Sequence, residues 1–293
     1  MKTFINFFKN KGTEHHKPKS FWSTFKNAYI RKKNLKKFWQ QLNKKNLPED
    51  LIKITNTFIS SESYDLISKF WKHCLINHFS YISKINDKID PLKAILKSDY
   101  SSFTMLDEFS INKTLDKNYG LIDLKTEILK KHDDLTVSQS LQHNMVLLIL
   151  YMNIKDKDIF KLYDKINKDM YLEYNPVLKI DNKNLTQQML ISLCEYEKIF
   201  SMLTNTSKKM NILEVGAGYG RTANMILSLK ENVKYVIADL SPTIFFSYKL
   251  ISKYFKYKKI KLCFEINSLN EMEHALNNYD ILFIFPHQLK YFN

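Results

Sequence analysis

Three glycines at every second position, Gly216, Gly218 and Gly220, follow the short apolar run Asn211–Val215 and precede a helical pattern that starts near Thr222. A glycine turn between a strand and a helix lets a nucleotide or similar group approach bare backbone at the helix N-terminus, so these residues could hold a cofactor. Glu214 stands two residues before the first glycine, and the turn reads Glu214-Val215-Gly216-Ala217-Gly218-Tyr219-Gly220-Arg221. Asp239 closes the next strand-like segment, where a carboxylate can accept hydrogen bonds from both hydroxyls of a ribose. The dinucleotide fingerprint wants its third glycine three positions after the second. That position is Arg221, so NAD and FAD are disfavoured.

The elements that must position these residues alternate. Thr186–Leu203 reads as a helix, and strand-like Asn211–Val215 follows it. Helical Thr222–Leu229, strand-like Lys234–Asp239, helical Ile244–Phe255, strand-like Ile260–Ile266, helical Leu269–Asn277 and strand-like Asp280–Phe285 come next. Such alternation predicts right-handed crossovers and a parallel sheet covered on both faces. Upstream, Ser61–Lys84 repeats apolar residues at helical spacing (Leu66, Ile67, Phe70, Trp71, Cys74, Leu75, Phe79, Ile82), and Thr136–Tyr151 reads the same way. The predicted fold class is α/β, with a partial Rossmann-like parallel sheet behind a mostly helical N-terminal domain. The expected divisions are a basic amphipathic arm at 1–45, a helical domain at 46–184 and an incomplete ligand-binding domain at 185–293.

Composition bounds the rest. Of 293 residues, 44% are apolar and 14% aromatic, which a disordered chain does not carry. Five glycines and six prolines are too few for an all-β sandwich or barrel. The formal charge is +15, and residues 1–45 alone hold 13 Lys/Arg against Glu14. Three scattered cysteines, Cys74, Cys194 and Cys263, point to a reducing compartment. The apolar patch Phe4–Phe8 is too short for a signal-peptide core, and Met145–Met152, the longest apolar run, is too short to cross a bilayer. The reading is a soluble cytoplasmic protein.

The acid-Gly-x-Gly-x-Gly turn with Asp239 resembles the class I S-adenosylmethionine-dependent methyltransferases. A closer resemblance covers about the last hundred residues. Pro176, Thr186-Gln187-Gln188-Met189-Leu190, Glu195-Tyr196, Ile212–Thr222 and Phe285-Pro286-His287-Gln288-Leu289 are similar to the sugar O-methyltransferases of bacterial surface-glycan gene clusters. The resemblance implies S-adenosyl-L-methionine as cofactor, held by Glu214, Gly216, Ala217, Gly218, Tyr219, Gly220, Arg221, Asp239, Leu240 and Gln187. It implies a sugar or glycan acceptor, nucleotide- or lipid-linked, in surface polysaccharide biosynthesis. In that family another strand and further elements follow the Pro-His-Gln-Leu segment, whereas this sequence stops at Asn293. A seven-stranded sheet needs roughly 60–100 more residues, so the expectation is a C-terminally truncated chain, or one completed by another polypeptide.

His287, after the C-terminal end of a predicted strand, is the one candidate for a base that takes the acceptor hydroxyl's proton; the alternative is that it caps the strand or packs under the cofactor. Arg221 either meets the methionine carboxylate or anchors an acidic residue of the helical domain. Tyr219 either packs on the cofactor or covers the turn, and Gln187 and Gln188 either reach the methionine end or serve the helix. His73, Cys74 and His78 lack a second ligand pair, His15-His16 is weaker still, and Asp133-Asp134 reads as a solvated helix start, so no metal is expected. The arm is read first as a solvated face, then as a surface for anionic membrane, with nucleic acid last. The competing functions are a non-catalytic glycan- or membrane-associated remnant and an RNA methyltransferase. The second loses support because Phe285-Pro286-His287 lacks the Asn/Asp-Pro-Pro-aromatic segment of base N-methylation.

Overall fold

The structure is a computed structural model that describes residues 35–42, 44, 47–68, 71–72, 75, 79, 131–132, 137–172, 177–203 and 210–292. The basic arm through residue 34, the His73-Cys74 pair with His78, and Asp133-Asp134 lie outside the described residues. Helices α1 (Leu35–Gln41), α2 (Glu49–Ser60), α3 (Glu62–Leu66), α4 (Val137–Ile154) and the one-turn α5 (Asp169–Leu172) come first, with a 3₁₀ segment at Asp158–Asp164. A hairpin of β1 (Leu178–Ile180) and β2 (Lys183–Leu185) turns through Asp181 and Asn182, both at positive φ, a conformation that short Asx side chains tolerate.

The alternating half then begins with α6 (Gln187–Ser201). Its N-cap, Thr186, accepts a hydrogen bond from the Met189 N–H, which fixes the helix start the sequence predicts. Next come β3 (Met210–Val215), α7 (Arg221–Leu229), β4 (Val233–Ala238), α8 (Thr243–Tyr254), β5 (Ile260–Leu262), α9 (Leu269–Asn278), β6 (Ile281–Ile284) and a 3₁₀ turn at Pro286–Tyr291. Strand and helix therefore alternate as expected, with one correction. The strand anticipated over Ile260–Ile266 ends at Leu262, because Gln288 intrudes there and its amide donates to the carbonyls of Cys263 and Ile266.

The four long-range strands form one parallel sheet in the order β3-β4-β6-β5. Its two faces read directly from the period-2 alternation of the central strands. Tyr235, Ile237, Ile281 and Phe283 face the main core together with α7 and α8. Val236, Ala238, Leu282 and Ile284 face the opposite way, onto Met272 and Ala275 of α9. Both faces of β4 and β6 are covered, which is why these strands are near-continuous apolar runs. The main core also takes in Leu35 and Trp39 of α1, Leu51, Ile54 and Phe58 of α2, and Leu147, Leu148 and Tyr151 of α4, so the early helices and one sheet face share one apolar interior.

The helix expected over Ser61–Lys84 is interrupted. The chain turns extended at Ile67 (ψ 143°), and Leu66 and Trp71 are 73% and 49% exposed, while Leu75 and Phe79 are buried as the spacing requires. Where α3 breaks, Ser63 and Glu62 bond to the turn after β6, and this tie sets the course of the chain in place of helical continuity.

Candidate functional site

The glycine turn sits at the C-terminal end of β3 and feeds α7. Gly216, Gly218 and Gly220 all adopt positive φ (79°, 62° and 91°), where L side chains are strained. Their surroundings differ. A Cβ on Gly216 or Gly218 would meet nothing within 4 Å, so bare backbone faces open space there. A Cβ on Gly220 would lie 3.4 Å from both Ile251 and Ser247 of α8, so this glycine serves the close approach of two helices. Gly220 precedes α7 directly, and its carbonyl accepts the Asn224 N–H at 2.8 Å to open the helix.

Asp239 lies just past the end of β4, next to the turn, because β3 and β4 pair in register from Met210↔Val233 to Val215↔Ala238. The Gly216 N–H then donates to the Ala238 carbonyl at 2.9 Å. The Asp239 carboxylate is buried; it accepts the Gly218 N–H at 2.9 Å through one oxygen and the Leu240 N–H at 2.7 Å through the other. One side chain thus clamps the ends of two neighbouring strands with charge-assisted hydrogen bonds. Ala217 is buried, Leu240 is half-buried beside Asp239, and Tyr219 packs against the main core.

Arg221 is committed elsewhere. Its guanidinium makes a bidentate pair with Glu195 of α6 (2.7 and 2.6 Å) and bonds Ser192 at 3.1 Å, and Thr222 donates to the same carboxylate. The buried Tyr171 hydroxyl donates to the Arg221 carbonyl at 2.6 Å, and desolvation pushes that phenol's pKa up. The anchoring role read from the sequence named an acid of the helical domain; the structure pairs Arg221 instead with Glu195 on the helix preceding β3, inside 185–293. Glu214 faces α7 and accepts from the Tyr235 hydroxyl at 2.8 Å. Burial raises its carboxyl pKa against the opposing pull of Tyr235 and Arg221. Gln187 opens α6, half-buried, on the helix that packs against α7.

His287 belongs to the same rim, two strands over. β6 pairs with β4, and the Asp239 N–H donates to the Ile284 carbonyl at 3.3 Å, three residues before His287. The His287 ring is held by Ser63 of α3: Nδ1 lies 2.8 Å from the Ser63 hydroxyl, which also accepts the His287 backbone N–H at 2.9 Å. Burial lowers the imidazole pKa, outweighing the opposite pull of Glu62. Around it, Lys290 pairs with Glu62 at 2.7 Å, Phe58 meets Phe285 edge-on at 5.4 Å, and the Thr55 and Ser241 hydroxyls share a buried hydrogen bond at 2.7 Å. Helices α2 and α3 therefore cap the C-terminal ends of β4 and β6, where ligands gather in open α/β sheets.

Sequence reasoning missed Ser63, Thr55 and Ser241, and gave Glu195, named only within the resemblance, no role. A polar residue on a helix gives no local signal of a partner about 190 or 220 positions away. Among the described residues no group of three or more His, Cys, Asp or Glu side chains could hold a metal, and no helix is long and apolar enough to cross a membrane. No family model, curated protein or solved structure matches the chain.

Proposed function

We propose that this protein binds S-adenosyl-L-methionine over the Gly216–Gly220 turn and Asp239, and transfers its methyl group to a sugar hydroxyl of a surface polysaccharide or of a nucleotide- or lipid-linked precursor. The observation that carries the reading is the joining of Gly218 and Asp239 by one hydrogen bond just past the C-terminal ends of β3 and β4, beside glycines whose Cβ positions face open space. The residues fit the group. A carboxylate can accept about four hydrogen bonds, so Asp239 can grip the turn and still take ribose hydroxyls.

When bound, the sulfonium supplies an already electrophilic methyl group, so the protein's part is alignment, exclusion of water and proton removal. The glycine turn admits the donor close to the backbone, and the start of α7 faces it. Arg221, through Glu195, fixes the turn against α6. His287 takes the acceptor proton at Nε2, a role that requires the tautomer in which Nδ1 carries the ring hydrogen in its 2.8 Å contact with the Ser63 hydroxyl. Its lowered pKa keeps the ring neutral, and therefore able to accept, near neutral pH. A positioned base of this kind contributes about 10²–10⁴-fold.

Titration calorimetry with S-adenosylhomocysteine tests the reading. Stoichiometric binding that Asp239→Ala abolishes supports it. Well-folded protein that takes up no heat from the ligand refutes it.

A further inference from the structure

The break after α3 brings apolar side chains to the surface. Helical spacing counts Leu66 and Trp71 among the inward residues of their segment, yet with the chain extended at Ile67 they are 73% and 49% exposed. Ser68 starts the next turn: its carbonyl accepts the Lys72 N–H at 3.1 Å, and its hydroxyl accepts the Trp71 N–H at 3.4 Å. One short hydrogen-bonded stretch of backbone therefore carries Leu66, Trp71 and Lys72.

Tyr64 gathers positive charge to the same place. Its half-buried ring stands edge-on to the buried Phe58 at 6.2 Å, and the ammonium groups of Lys36 in α1 and of Lys72 each lie 4.8 Å from its centre. Cation–π attraction holds both at the ring although they repel each other. Among the described residues neither lysine pairs with a carboxylate: Glu62 of α3 is taken by Lys290 at 2.7 Å, and Asp65, the other acid of that helix, is exposed and pairs with neither. In sequence, α1 lies within residues 1–45, the stretch that holds 13 Lys/Arg against Glu14.

An indole, an aliphatic side chain and two lysines without acids select among partners. A stable protein interface takes about 20–30 residues a side, far more than this patch offers. A nucleic-acid backbone would engage the lysines and leave Leu66 in water. The boundary of an anionic bilayer suits all four, since an indole settles at headgroup depth, a leucine reaches the acyl chains, and lysine stems lie along the boundary with their ammonium groups on lipid phosphates.

We propose that the surface formed by Lys36, Tyr64, Leu66, Trp71 and Lys72 docks on an anionic lipid bilayer. The same short helix, α3, holds the His287 ring through Ser63, so the docked face adjoins the rim of the candidate site. The proposal rests on exposure and charge and stands apart from the methyl-donor reading.

Cosedimentation of the full chain with vesicles is the test, comparing pure phosphatidylcholine with a mixture holding about 30% phosphatidylglycerol. The expected result is binding to the mixed vesicles only. Leu66→Ser with Trp71→Ser, and separately Lys36→Gln with Lys72→Gln, should each weaken it at least about tenfold. Melting temperatures should stay near the parent's, because none of the four side chains is buried. Protein that stays in solution with both kinds of vesicle overturns the proposal. So does binding that either pair of substitutions leaves unchanged, since it then belongs to other lysines or to charge alone. A dimer that Leu66→Ser with Trp71→Ser dissociates, or binding of single-stranded RNA that this pair weakens, also overturns it, by giving the face to a second copy or to nucleic acid. No methyl donor is present, so this experiment can fail while the calorimetric one succeeds, and the reverse.

Discussion

Replacing Asp239 by asparagine removes the charge while keeping the shape of the side chain, and a lower bound on its cost can be worked from two of its hydrogen bonds. The carboxylate is 8% exposed and accepts Gly218 N–H at 2.9 Å and Leu240 N–H at 2.7 Å. Hydrogen bonds to a charged acceptor contribute about 1.5–3 kcal/mol each. Asparagine keeps one acceptor and turns an NH₂ toward the other amide, so one bond is lost and a buried N–H faces a donor. The expected destabilisation is about 2–4 kcal/mol, or a fall in Tm of about 4–8 °C for a chain of this size. Asp239→Ala should cost more, since both amides lose their acceptor. Asp280→Asn is the control: Asp280 also accepts a backbone N–H, from Lys259 at 2.8 Å, but in a more exposed setting, so its loss should cost under about 1 kcal/mol. Scanning calorimetry with urea titration measures all three. If Asp239→Asn melts within 1–2 °C of the parent, roughly the shift of the control, the clamp between β3 and β4 is not what holds the turn, and the reasoning fails.

Other perturbations separate the roles of neighbouring residues. Gly218→Ala should cost about 1–2 kcal/mol from backbone strain alone, whereas Gly220→Val should cost clearly more because its side chain would enter the contact with Ile251 and Ser247; urea midpoints of the two variants decide this. Thr55→Val and Ser241→Ala should each cost about 1–3 kcal/mol by leaving the partner hydroxyl buried and unbonded, and the double variant should cost much less than their sum, as a double-mutant cycle would show. Arg221→Lys should destabilise the α6–α7 contact, because an ammonium cannot reproduce the bidentate pair with Glu195, and the variant's melting should become less sensitive to Glu195→Gln than the parent's. His287 has a lowered pKa in the folded state, so the unfolded chain binds its proton more readily. Stability should therefore fall as pH drops below about 6.5. His287→Gln should flatten that loss between pH 7.5 and pH 5.5, roughly the histidine titration range.

The parts of the site legible in the sequence are those whose geometry is set over short chain distances. The glycine turn and Asp239 meet because a strand–helix–strand unit returns the chain to the neighbouring strand in register, and that unit is written in the alternation of apolar periods from Asn211 to Asp239. Helix starts such as Thr186 and Ser268 are legible for the same reason, since each cap bonds to an amide three residues on. Strand order was not legible: nothing in Ile281–Ile284 records that it inserts between β4 and β5. Nor was the cap over the rim, because Ser63 with His287 and Thr55 with Ser241 are joined by tertiary packing, and either serine, read locally, is an ordinary helix or turn residue. The break after Leu66 follows from that packing, which outweighs the helical period of the segment.

Five glycines in 293 residues make a sharp test of the central claim, since three of them form the turn. In protein labelled with ¹⁵N-glycine, the amides of Gly216, Gly218 and Gly220 should shift on titration with S-adenosylhomocysteine. A titration to saturation in which the three turn resonances do not move would contradict the account.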